Sequence, residues 1–205
     1  MESARRRDLA ASRLAPTAHA AIRHHDTDYH PPDAEQGYYR GPRFVSGGMV
    51  VQATWNGQSV FTELQQPHNP TLHDHAAGAC DEFSIDEAVG YDEAAVGDAT
   101  TGGDFLKIGV GALRRTRATK YFLGHPFPIV RPGTWTIGAL PSEMRFVQEF
   151  QLNAEWGYRY VKTIQVQTND FTILNSISNR GSKTIATEHY NHHMFAFDQQ
   201  PIHAT

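Results

Sequence analysis

The chain is poor in cysteine, in net charge and in long apolar runs, and each shortage removes a class of protein. Cys80 stands alone among 205 residues, so no intrachain disulfide framework exists and packing must hold the fold. That usage fits a reducing compartment and favours a cytoplasmic placement, with secretion left open. A formal net charge of -4 offers neither a basic field for nucleic acid nor one for an anionic membrane surface, so neither partner is expected. The basic start Met1-Glu2-Ser3-Ala4-Arg5-Arg6-Arg7 is followed by Asp8, Arg13, Pro16 and His19, which interrupt every apolar run. Neither a signal peptide nor a membrane span is read there.

What is present suits a packed domain, since 40% of residues are hydrophobic and 11% aromatic, too many for a disordered chain. Residues 1–33 are rich in Ala, Arg and His, lack a firm period and close on Pro31-Pro32, which reads as an irregular N-terminal arm with one short helix near 7–14. From 34 to 205, short apolar runs alternate with Gly, Asn, Asp and Pro, the pattern of an all-β chain. Asn56-Gly57 supplies the positive φ angles of a two-residue turn and predicts a hairpin of 49–55 with 58–63. Further strands are expected at 105–113, 127–130, 134–137, 145–152, 158–167, 171–176, 183–187 and 193–197. Turns such as Thr168-Asn169-Asp170 and Asn179-Arg180-Gly181 are short, which implies mostly antiparallel pairing. Residues 65–103 form a loop-rich excursion that holds His73-Asp74-His75 and an expected turn at Asp81-Glu82-Phe83.

The densest chemistry lies in Thr187-Glu188-His189-Tyr190-Asn191-His192-His193-Met194-Phe195-Ala196-Phe197, where three imidazoles sit in a strand-like aromatic run. Imidazole, with an unperturbed pKa of about 6.5, both gives and takes protons near neutrality. Neighbouring strand residues point to opposite faces, so one of His192 and His193 faces a groove and the other does not. His189, an odd number of positions from His192, faces away from it as well. The ordinary fate of a lone histidine in a β core is a satisfied structural hydrogen bond. A metal reading draws on His73, His75 and Glu82, but the carboxylate follows the second histidine too late for a cupin-like spacing.

Tyr39-Arg40-Gly41-Pro42-Arg43-Phe44, Gly47-Gly48-Met49, Asp81-Glu82-Phe83, Gly90-Tyr91-Asp92-Glu93-Ala94, Phe105-Leu106-Lys107-Ile108-Gly109-Val110-Gly111 and the histidine run occur in a characteristic order. Together they resemble the aldose 1-epimerase (galactose mutarotase-like) family, from about Tyr39 to Pro201. The resemblance implies an antiparallel β-sandwich of the galactose mutarotase-like supersandwich type, binding a monosaccharide or sugar derivative in a groove, with no cofactor and no metal. It implies an isomerase that opens and recloses the sugar ring with one acid and one base. Asn191-His192-His193-Met194-Phe195 places His192 as the acid, with His193 as the alternative, and Arg43, His75, Glu82 and Lys107 as substrate-binding residues. The family's base is a glutamate on a strand well beyond this motif, whereas the tail after His193 carries only Asp198. The resemblance therefore implies a C-terminally truncated sandwich whose acid alone retains part of the rate at best. A non-catalytic carbohydrate-binding or self-assembling protein on the same sheet is the alternative function. The expected partners beyond the sugar are a second copy of the chain or a complementing C-terminal chain.

Overall fold

A computed structural model describes residues 22–24, 27–29, 32–167, 170–198 and 200–201, and among these residues there is no helix. The strands in order are β1 (Ile22–His24), β2 (Thr27–Tyr29), β3 (Val50–Trp55), β4 (Gln58–Ser59), β5 (Ala79–Phe83), β6 (Asp104–Lys107), β7 (Gly111–Arg114) and β8 (Ile129–Pro132). They continue with β9 (Trp135–Leu140), β10 (Glu143–Gln151), β11 (Gly157–Val166), β12 (Phe171–Asn179), β13 (His189–His193), β14 (Ala196–Phe197) and β15 (Gln200–Pro201). One sheet runs β1-β2-β3-β5-β13 with β4 on β3, and a second runs β12-β11-β10-β9. A three-stranded β6-β7-β8 sheet and the β14-β15 pair complete the set, and every pairing is antiparallel.

Sequence alternation builds the second sheet. In Glu143-Met144-Arg145-Phe146-Val147-Gln148-Glu149-Phe150, every even position is buried and the odd ones are wetter, as the period of a half-covered strand demands. Val50, Ala53 and Ala79 of the first sheet, with Phe61 just after β4, pack there against Met144, Phe146, Ile164 and Val166 of the second. A neighbouring cluster joins Phe83 and Leu106 to Phe150, Tyr158 and Tyr160. Two antiparallel sheets over a shared apolar layer are the arrangement of a β-sandwich. Full burial of a side chain such as Phe146 is worth about 1.5–3 kcal/mol, so this layer is the main source of cohesion.

Several expected elements are placed differently. Asp81-Glu82-Phe83 is not a turn but the end of β5, whose five residues are all buried. The run 105–113 is broken into β6 and β7 by a turn at 108–110, where Gly109 has φ +80° and a Cβ would press on Val45. Residues 183–187 form no strand, and the last histidine strand begins at His189 rather than His193. The Asn56-Gly57 turn is present, with φ of 51° and 79°, although the returning strand β4 is short. Within the stretch read as an arm, β1 and β2 pair with each other and β2 with β3; the helix expected at 7–14 lies outside the described residues.

Candidate functional site

The site grows from the pairing of β5 with β13, in which Asp81 stands opposite Asn191, Glu82 opposite Tyr190 and Cys80 opposite His192. Alternation then sorts the chemistry onto two faces: Cys80, Glu82, Tyr190 and His192 share one, while Asp81, His189, Asn191 and His193 share the other. Gly78 sets up β5 from the preceding loop. Its φ is +57°, and a Cβ there would lie 1.8 Å from the carbonyl oxygen of Val50, so only glycine fits.

Glu82 is the centre of the first face. Its side chain is 1% exposed, yet Arg43 Nε donates to both carboxylate oxygens at 3.1 and 3.2 Å, and His192 Nε2 lies 2.9 Å from Oε2. Lys107 Nζ stands 3.7 Å from Oε1. Burial pushes the Glu82 carboxyl towards protonation, but the His192 hydrogen bond and the Lys107 and Arg43 charges outweigh it, and the net shift is downward. Glu82 is therefore an anion, and Nε2 of His192 must be the protonated nitrogen that donates to it. The His192 ring meets Phe44 edge-on with centroids 5.2 Å apart and is 26% exposed. Its Nδ1 has no hydrogen-bond partner among the described residues.

The cations are held in turn. Arg43 also pairs with Asp74, and these carboxylates raise its pKa against the opposing effect of burial. Lys107 donates to Tyr121 Oη at 2.9 Å and to the Ser84 carbonyl at 3.2 Å. Burial, with the Arg43 charge adding to it, brings the Lys107 amine down to about 8 even though Glu82 pulls the other way. Burial likewise raises the Cys80 thiol to about 12.

On the opposite face Asp81, fully buried, carries a second network. Lys162 Nζ of β11 is 2.6 Å from Oδ2. Oδ1 accepts from Asn191 at 2.5 Å and Asn175 of β12 at 2.9 Å, with His189 Nε2 at 2.8 Å. Desolvation raises this carboxyl, but Lys162 and His189 overcome it and hold its pKa well below the usual carboxylate range. The network ties the two sheets together through polar groups beside their shared apolar clusters.

Arg43, Glu82, Lys107 and His192 are thus brought together. His193 is not with them: it lies on the Asp81 face, exposed and stacked on Phe195 with centroids 5.6 Å apart. His75 keeps to its own loop, where Nδ1 accepts the Asn69 N–H at 3.0 Å and the ring lies 6.2 Å from that of His68. Asp198, the acid of the tail, accepts the Ser59 N–H at 3.1 Å. His73 Nε2 meets the Leu123 carbonyl at 2.8 Å, so His73 and His75 do not converge on a common ligand position. Among the described residues no group of three His, Cys, Asp or Glu side chains is arranged to hold a metal. Sequence reasoning missed Asp74, Tyr121 and the Asp81–Lys162 pair. For Asp81 a signal existed, because a strand assignment for Asp81-Glu82 forces the two carboxylates onto opposite faces; for Tyr121 there was none.

Compared with known protein families, curated proteins and solved structures, the chain finds no match in any of the three.

Proposed function

We propose that this chain is an aldose 1-epimerase-like protein of the galactose mutarotase-like class, with His192 as the acid of sugar ring opening. The observation that supports this is the 2.9 Å contact of His192 with a buried, ionised Glu82 that Arg43 and Lys107 keep charged. A carboxylate fixed in this way sets the tautomer and orientation of the ring and leaves Nδ1 for a substrate. In the doubly protonated ring, Nδ1–H transfers its proton to the pyranose ring oxygen while the bond from C1 to that oxygen breaks. The anomeric hydroxyl loses its proton to water, and the aldehyde forms, rotates and recloses. Arg43 has its Nε on Glu82 and its Nη1 on Asp74, and it offers its remaining Nη2 to a sugar hydroxyl. With no side chain assigned to the base, the acceleration stays below that of a two-group site.

Polarimetry of freshly dissolved α-D-glucose and α-D-galactose tests this. The chain accelerates the decay of optical rotation over buffer, and His192→Gln returns it to the buffer rate, one acid being worth about a hundred- to ten-thousand-fold. A folded wild-type chain that leaves a panel of aldoses at the buffer rate would sink the reading.

A second reading, a non-catalytic carbohydrate-binding or self-assembling protein on the same sheets, is favoured by one specific observation. β12 and β13 are both edge strands, and around them Leu174, Tyr190, Phe195 and Phe197 are exposed. A cleft of about 450 Å³ opens there, lined by Phe61, Phe171, Ile173, His193 and Phe195. Edges that pair with no further strand among the described residues, flanked by apolar side chains, favour pairing with another chain. Light scattering across a concentration series decides it, since a monomer at every concentration removes the self-assembly arm.

A further inference from the structure

The cleft of about 450 Å³ between the start of β12 and the end of β13 has a chemistry of its own. Its volume falls within the range of small-ligand sites, roughly 300–1,000 Å³. Apart from Asn191 and His193 its lining is wholly apolar or aromatic, with no acid, lysine or arginine. Trp55, Phe195 and Phe197 of that lining are 53%, 52% and 45% exposed, so the walls are open to a ligand from solvent.

The walls carry a ladder of rings. Phe195 stacks on Phe61 with centroids 5.4 Å apart, His193 stacks on Phe195 at 5.6 Å with planes 12° apart, and Phe171 meets Phe61 edge-on at 6.1 Å. Offset and edge-on ring pairs gain affinity beyond the area they bury, so such an array favours one ring more. Asn191 adds a polar anchor whose orientation is fixed from inside the protein. The Asp81 carboxylate only accepts, so the amide atom 2.5 Å from its Oδ1 is the Asn191 nitrogen, and the other amide atom is the carbonyl oxygen. That oxygen accepts from no group among the described residues, and it belongs to an exposed residue of the cleft wall. Donation to a buried anion polarises the amide and strengthens its oxygen as an acceptor.

We propose that this cleft binds a free, neutral phenol, its ring packed on the aromatic ladder and its hydroxyl donating to Oδ1 of Asn191. A sugar would press most of its hydroxyls against hydrocarbon, with one fixed acceptor for all of them. An anion finds no lysine or arginine in the lining, and a cation finds no carboxylate. A second copy of the chain is the competing occupant, because the same exposed rings favour self-association. None of Arg43, Glu82, Lys107 and His192 lines the cleft, so the site goes beyond the ring-opening reading.

The test is calorimetric titration of the whole chain with 4-ethylphenol. Two comparators dissect it: 4-ethylanisole keeps the ring and loses the donor, and 4-ethylcyclohexanol keeps the donor and loses the aromatic faces. 4-Ethylphenol binds saturably at one site per chain, roughly two- to tenfold more tightly than either comparator, the effect of one neutral hydrogen bond or one aromatic pair. At least one of Trp55→Leu and Phe195→Leu weakens it by a similar factor; if both melt early, the three ligands on the wild type still decide. His192→Gln leaves binding in place. Absence of saturable binding, a comparator that binds as tightly, or tighter binding of methyl α-D-glucopyranoside or tetramethylammonium would overturn the proposal. So would an affinity indifferent to both leucine changes in folded protein. Light scattering on the same samples separates the competing occupant: a self-associated chain that 4-ethylphenol neither enters nor dissociates assigns the cleft to a second copy and overturns the proposal. Phenol binding without any catalysed mutarotation leaves this inference standing and removes the ring-opening one; mutarotation without phenol binding does the reverse.

Discussion

Glu82 stays charged where burial opposes charge, because groups from three distant parts of the chain converge on it. Removing the charge while keeping the shape leaves Arg43 and Lys107 without their shared anion. Glu82→Gln is expected to cost about 3–5 kcal/mol in urea unfolding, the range for breaking a buried pair from one side. It also lowers the Lys107 pKa further, since Glu82 is the group that raises it; nitrogen-detected NMR of the lysine side chain measures this. Lys107 gives the molecule a pH signature of its own. Its amine titrates near 8 when folded and near 10.5 when free, so between those values the unfolded chain binds more protons and stability rises with pH. From pH 8 to 9.5 the difference in unfolding free energy between wild type and Lys107→Met should shift by about 1.5 kcal/mol in favour of the wild type. A flat difference across that window would contradict the burial of a titrating Lys107.

Among the elements, β5 carries the most unusual load, two adjacent buried carboxylates facing opposite ways. Asp81→Ala strands Lys162 in the layer between the sheets and is expected to cost about 3–5 kcal/mol, whereas Asp81→Leu with Lys162→Met together recovers much of that loss. Denaturant midpoints for the three variants make the comparison. Gly78→Ala tests the entry to the same strand: its Cβ meets a backbone carbonyl, so a large drop in melting temperature is expected without any change to a charged group. β5 also shows where the sequence was legible and where it was not. The Asn56-Gly57 hairpin and the alternation of β10 are local patterns, and both were readable. Asp81-Glu82 looks like a turn because isolated charges belong in water; it is a strand because Arg43, Lys107, Lys162, His189 and His192 come from elsewhere to receive it. Arg43, Glu82, Lys107 and His192 were named through resemblance alone, and their contacts, like the positions of His75 and His193, depend on loop paths and register that no local pattern encodes.

At the scale of the whole molecule, the two sheets share a core and yet each presents an edge, β12 in one and β13 in the other. Charges placed on that side weaken pairing with another chain. Leu174→Lys with Phe197→Lys should therefore shift light scattering towards the monomer while leaving the melting temperature within a few degrees, both residues being about half exposed. The pairing of β13 on β5 has a further consequence through Cys80. The chain's only thiol is buried directly across from His192, with a pKa near 12, so it is inert to disulfide reagents at pH 8 for as long as the strands stay together. The rate at which such a reagent labels the untagged protein then becomes a stopwatch for how often the histidine strand lifts away, with no background from any other sulfhydryl.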